Sequence, residues 1–272
     1  MSKNLQKYRT LANYFLIMRE ILTKHELFEF LEQKYDKFNT PEFIINDPIQ
    51  IPHLFSKSKD VEISGFITAT IAWGQRKSII KNARYFMELM DDSPYDFVMG
   101  FQELDLRRFD NAVHRTFNGE DLKFFIRSLR NIYSKNGNLE NVFSNADSLY
   151  DGLVNFYDVF FQIPSLDRTK RHVANVKSGS AAKRINMFLR WMIRNDGRGV
   201  DFGLWNKISP AELYIPLDLH SGRIARLLGI LTRNQNDWKS VEELTNVLRE
   251  FDPLDPVKYD FALFGVGVNE DF

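Results

Sequence analysis

The sequence predicts an all-α protein. Three observations carry that expectation: apolar residues recur at helical spacing along most of the chain, strand-like alternation is nearly absent, and the stripes end at turn signals. Leu11, Tyr14, Phe15, Met18 and Leu22 share one helix face. Ile63, Phe66, Ile67 and Ile71 form a second stripe, and Ile79, Ala83, Phe86, Met87 and Met90 a third, closed by Asp92-Ser93-Pro94. Leu122, Phe125, Ile126, Leu129 and Ile132 repeat the spacing before Asn136-Gly137, and Leu149, Leu153, Phe156, Tyr157 and Phe160 run up to Pro164. Ile185, Phe188, Leu189 and Met192 follow, then Val241, Leu244, Leu248 and Phe251, stopped by Asp252-Pro253. Between these, residues 40–60 (Pro41, Pro48, Pro52) read as an irregular connection, and residues 195–216 (Gly197, Gly199, Gly203, Pro210, Pro216) as a long loop. No fixed period repeats, which argues against a helical solenoid.

The bulk composition is that of a folded protein, with 272 residues, 44% hydrophobic and 26% charged. The 24 phenylalanines suit the irregular gaps between crossing helices, each ring burying on the order of 150–250 Å². The absence of cysteine excludes disulfides, thiolate nucleophiles and thiolate-bound zinc or iron–sulfur centres. His25, His53, His114, His172 and His220 are scattered without ligand spacing, so neither a metal nor another cofactor is expected. The apolar stretch Tyr14–Met18 runs directly into Arg19 and Glu20 and does not read as a signal peptide. No apolar run approaches the roughly 20 residues that cross a bilayer. The expectation is a cytoplasmic monomer without a membrane partner.

Net charge is zero, from 36 basic and 36 acidic residues, which counts against a nucleic-acid partner unless charge is concentrated locally. It is: Arg168, Lys170, Arg171, Lys177, Lys183 and Arg184 follow Asp167 with no other acid up to residue 184. Such a run is often only a solvated face.

The segment Ile215-Pro216-Leu217-Asp218-Leu219-His220-Ser221-Gly222-Arg223-Ile224-Ala225-Arg226-Leu227-Leu228-Gly229 reads as one helix with both ends marked. Asp218 stands where a carboxylate accepts the free amides of a first turn, and Gly229 marks the stop. Upstream, Lys177-Ser178-Gly179-Ser180-Ala181-Ala182-Lys183-Arg184-Ile185-Asn186 reads as a tight turn feeding the Ile185/Phe188/Leu189 helix.

The first of these segments resembles the signature of the helix-hairpin-helix DNA glycosylase superfamily, in which Val-Asp-Thr-His opens a helix continuing Arg-Val-(x)-Arg-(x)-Leu-Gly. Asp218, His220, Arg223, Ile224, Arg226, Leu228 and Gly229 fall at matching places. The second resembles the superfamily's hairpin: Gly179 matches its first glycine, Lys183 its catalytic lysine and Asn186 a frequent asparagine. Ser178 stands for a proline and Ala181 for the second glycine. A fainter likeness covers Ile63–Lys77, where Gln75 falls near a glutamine that fills the gap left by an extruded base. Asp260–Gly267 resembles the last core helix, and the four-cysteine loop that follows it in iron–sulfur members is missing. The ending Asp255–Gly265 also resembles that of a group of uncharacterised bacterial proteins. The likeness covers about residues 60–90 and 170–272.

The resemblance implies two helical subdomains with a cleft between them, one built from residues 1–75 and 215–272 and the other from 76–214, with the hairpin at 177–193. It implies a DNA-repair glycosylase, with possible lyase activity, acting on double-stranded DNA that contains a lesion. Asp218 would stabilise the oxocarbenium-like transition state and Lys183 would attack the sugar C1′. Gln75, Lys170, Arg171, Lys177, Gly179, Arg184 and His220 would contact DNA, and Trp191, Phe202, Trp205 and Tyr214 would line the base pocket. Lys183 and Asp218 should face each other on the order of 5–8 Å apart, so that both reach one sugar. The alternatives are an inactive DNA-binding module on the same fold and a helical protein unrelated to DNA.

Overall fold

The computed structural model describes residues 22–270, so the stripe from Leu11 to Met18 lies outside it, with Leu22 at its edge. Secondary structure in this range is mostly helical. Helix α1 (Lys24–Phe38) opens on a reciprocal cap between Thr23 and Glu26. Then come α2 (Glu42–Ile45) and two single 3₁₀ turns, Pro48–Gln50 and Pro52–Leu54. Each of those turns starts on a proline, whose missing N–H is not needed at a helix start. Helices α3 (Ser58–Thr70), α4 (Arg76–Glu88) and α5 (Pro94–Gly100) lead to a small antiparallel hairpin, β1 (Val113–His114) with β2 (Phe117–Asn118). Strands of two residues are too short to show alternation in the sequence. The chain continues through α6 (Gly119–Asn136), α7 (Leu139–Ser144), α8 (Leu149–Phe160), α9 (Lys183–Ile193), α10 (Leu219–Leu227), α11 (Trp238–Arg249) and α12 (Tyr259–Asn269).

Helix α3 is the centre of the packing. Every residue from Asp60 to Thr70 is buried, and α4, α5 and α9 all pack against it. A helix enclosed on all sides must satisfy its own polar groups. The Glu62 carboxylate accepts from the Tyr133 hydroxyl, the Leu139 amide and Trp205 Nε1, and Asp60 accepts from the Tyr95 amide at 2.8 Å. Phe66 sits among Phe125, Phe156, Phe160 and Phe188, with ring centroids 5.4–5.7 Å away and three of the four edge-on. The rich phenylalanine content is thus concentrated where α3, α6, α8 and α9 cross, in geometries that favour aromatic pairs.

On another side of the molecule α12 packs against both α1 and α10. A buried polar network joins α1 and α12 to α9. Arg190 pairs with Asp201 and Asp260, and Arg194 with Asp196, Asp201 and Asp255. The Tyr35 hydroxyl donates to Asp196 and accepts from Arg194. Removing one partner from such a network strands a buried charge, so it specifies this arrangement strongly even where its net contribution to stability is small.

The loop 195–216 is folded back along α9. The Phe202 amide donates to the Trp191 carbonyl and the Trp205 amide to that of Met192, and Glu140 accepts both the Asn206 and Lys207 amides. Helix α10 ends as the sequence indicates. Gly229 takes φ +74°, its amide and that of Ile230 returning to the Arg226 and Ala225 carbonyls, a closure that favours glycine because it needs a left-handed residue. Among the described residues no helix is long and apolar enough to cross a membrane.

Candidate functional site

Two helix starts converge on one cleft. The first is the hairpin ahead of α9. A 3₁₀ turn, Val176–Ser178, is closed by Gly179 at φ +80°, and Ser180 bridges to Asp237 beside the start of α11. Asn186 donates to the Ala181 carbonyl from within α9. Ala182 takes φ +49°, a left-handed conformation that costs about 1–2 kcal/mol for a residue with a side chain. That turn makes Lys183 the first residue of α9.

The second start is α10, which Asp218 caps. Its Oδ1 accepts from the His220 amide at 2.8 Å and the Ser221 amide at 2.9 Å, and the Ser221 hydroxyl accepts the Asp218 amide in return. The other oxygen, Oδ2, lies 3.2 Å from Lys183 Nζ. Burial by itself would raise the Asp218 carboxyl, but the Lys183 charge and the Ser221 amide outweigh it and hold the group below its ordinary 3.8. The expected separation of 5–8 Å is too long. Opposite charges on the two helix starts meet directly as an ion pair.

The pair stands in the wall of a cleft of about 880 Å³, within the ~300–1,000 Å³ of small-molecule pockets. Of the residues expected to touch DNA, Arg171, Arg184 and His220 line this cleft. Arg184, however, is committed to the protein. Its guanidinium donates to the Thr70 carbonyl and lies 4.7 Å from the Trp73 ring centre, and burial pulls it down to about 10. Nδ1 of His220 contacts the Gly267 carbonyl at 3.2 Å. Lys170 and Lys177 lie outside the cleft, exposed and paired with Asp167 and Asp158. Gln75 is exposed at the start of α4 without a side-chain cap bond, between the cleft residues Gly74 and Arg76. Gly179 is exposed, with open space where a Cβ would project.

The aromatic pocket expected from Trp191, Phe202, Trp205 and Tyr214 is corrected: none of the four lines the cleft. Trp191 is fully buried, Trp205 is tied to Glu62, Phe202 packs at a tilt on His53 and Tyr214 packs on Trp238. The loop that carries three of these rings folds onto α9, and the core absorbs them. The cleft's aromatic lining includes Phe43, Trp73, His172 and Phe264 instead. Trp73 is stacked on His172 with 20° between the rings.

Sequence reasoning also missed the charged floor, Asp47, Arg76, Arg190 and Asp260. Burial pushes the Asp260 carboxyl up to about 6, against the pull of Arg190. Asp47, Arg76 and Arg190 belong to no motif, and Asp260, although it opens the segment resembling the last core helix, looks like an ordinary helix-start acid, as does Asp47. Among the described residues no group of three or more His, Asp or Glu side chains could hold a metal ion.

Fold and site together define a helical protein in which two helix starts present an amine and a carboxylate to one deep cleft. The family described as "Protein of unknown function (DUF2400)" matches residues 47–269, and the chain belongs to that family. No curated protein and no solved structure matches the chain.

Proposed function

We propose that the protein is a DNA N-glycosylase with associated lyase activity, built as two helical subdomains of the helix-hairpin-helix glycosylase type. The observation that carries this reading is the 3.2 Å contact between Lys183 and Asp218 in the cleft wall. Breaking the bond between C1′ and a base nitrogen builds positive charge on the sugar, and a fixed carboxylate beside C1′ stabilises it. Asp218 Oδ2 is that carboxylate, held by the cap that its other oxygen forms. Once the substrate has entered and Lys183 has passed its proton to water, its free amine attacks C1′ and leads to a Schiff base with the opened sugar. The target base leaves the stack to enter the cleft, most cheaply when it is damaged or mispaired.

The test is release of bases from duplexes carrying oxidised, deaminated, alkylated or abasic sites, with borohydride present to trap the imine. Excision and trapping on at least one duplex are expected. A wild-type protein inert on all four overturns the proposal.

One observation favours a second reading, a helical protein unrelated to DNA. Of the six basic side chains in 167–184, Arg171 alone has no ion pair or side-chain hydrogen bond among the described residues. The phosphate-binding charge is therefore thin, and salt-dependent binding to an undamaged duplex separates the two readings.

A further inference from the structure

Asp47 is an ordinary turn cap by residue type and an unusual one by position. It precedes a three-residue 3₁₀ turn and accepts the Ile49 amide with Oδ1 at 3.0 Å, a task that serine or asparagine performs as well. Yet it is only 8% exposed, it lines the same cleft as Lys183 and Asp218, and Oδ2 has no hydrogen-bond partner among the described residues. The second oxygen is not among the sealed, unpartnered atoms of the interior, so it is reachable from the cleft and open to a ligand. Asp260, the other buried acid of the cleft floor, is already taken up by Arg190.

We infer that Asp47 is the acid that protonates the departing base. The inference rests on the glycosylase reading. As the bond between C1′ and the base breaks, its electron pair goes to the base, and the Oδ2 proton moves onto that base. Lys183 Nζ, having first passed its extra proton to water, forms the new bond to C1′ and carries the positive charge, while Asp47 is left as a carboxylate. The substrate class is a base that leaves poorly without a proton, that is, a neutral base such as uracil or 8-oxoguanine.

Asp218 and Asp47 differ in the sense this division needs. Asp218 is held low by Lys183 and the Ser221 amide, against its burial. For Asp47 burial prevails, raising it in spite of the Ile49 amide and the charges of Arg190, Arg76 and Lys183. Acids of one cleft whose environments drive them in opposite directions are suited to opposite roles, one ionised and one proton-bearing.

The experiment compares wild type, Asp47→Asn and Asp47→Ser on three duplexes, carrying uracil, 8-oxoguanine or an abasic site. Both substitutions keep an acceptor for the Ile49 amide. Trapping on the abasic duplex involves no base departure, so it should stay at wild-type yield. Release of whichever neutral base the wild type excises should fall about 100-fold or more, as loss of a general acid typically does. Wild-type release rates in the variants would overturn the inference, as would loss of trapping and release together in both variants, which would make Asp47 a structural cap. A wild type that traps but releases neither base overturns Asp47 as the acid and leaves Lys183 and Asp218 as a lyase pair. A wild type that does neither overturns the underlying glycosylase reading, and this inference with it.

Discussion

Lys183 Nζ and Asp218 Oδ2 are 3.2 Å apart, while Asp218 Oδ1 holds the first turn of α10 through the His220 and Ser221 amides. The carboxylate thus has a structural oxygen and a chemical one, and substitutions can separate them. Asp218→Asn keeps an acceptor for the amides, so stability should fall by no more than about 1 kcal/mol, the loss being that of a partly exposed ion pair. Excision should nevertheless slow about 10²–10³-fold. Asp218→Ala also removes the cap and should lose roughly 1 kcal/mol more. Thermal melts and single-turnover rates measure the two effects independently.

The same carboxylate sets a pH window for stability. Its folded value lies below the ordinary 3.8, so its contribution is complete above 3.8 and disappears as pH falls through the folded value. Denaturant titrations should show wild type and Asp218→Asn separated by a constant gap at neutral pH. That gap should close below about pH 4, as the carboxyl takes up its proton. A gap that widens with acid would mean that Asp218 is not held ionised by Lys183.

Much of the fold was legible because apolar spacing is a local property. The stripes at Ile63, Ile79, Leu122, Leu149, Ile185 and Val241 each lie in or beside a helix of the structure, and Asp218 and Gly229 cap and close α10. The pairing of Lys183 with Asp218 came from the motif resemblance, because no periodicity links residues on two helices. The pocket lining was misread for a physical reason. Rings on a Gly/Pro-rich loop look available, but backbone bonds to the Trp191 and Met192 carbonyls fold that loop onto the core. Trp73 was passed over although it stands two residues before Gln75, and Asp47 because an acid before proline reads as a turn cap.

Two of the glycines with left-handed backbone, Gly229 and Gly179, should resist alanine. Gly229→Ala and Gly179→Ala each place a Cβ on a residue with φ near +75° to +80°, and each should lower stability by about 1 kcal/mol. The functional outcomes should differ. Gly179 shapes the hairpin that delivers Lys183, so its substitution should also reduce trapping, whereas Gly229 lies at the far end of α10. Equal trapping by both variants, at matched stability, would detach the hairpin from the chemistry.

Charge contacts can be ranked by their commitments. Arg171 lines the cleft and has no ion pair among the described residues, while Lys170 is paired with Asp167 outside it. If the cleft face binds duplex DNA, Arg171→Gln should lower the slope of log affinity against log salt by about one unit. Lys170→Gln should change it less. Binding that is flat in salt would leave the 167–184 run as solvated surface.

The most direct test of the account is the identity of the amine that becomes covalently linked. Borohydride reduction of the wild-type protein with an abasic-site duplex, followed by proteolysis and mass spectrometry, should place the adduct on Lys183. Lys183→Gln should give no adduct while binding the duplex nearly as well, since only the amine forms the imine. An adduct on another lysine, undiminished trapping by Lys183→Gln, or no adduct from the wild type would contradict the assignment of Lys183 and Asp218 as the reacting pair.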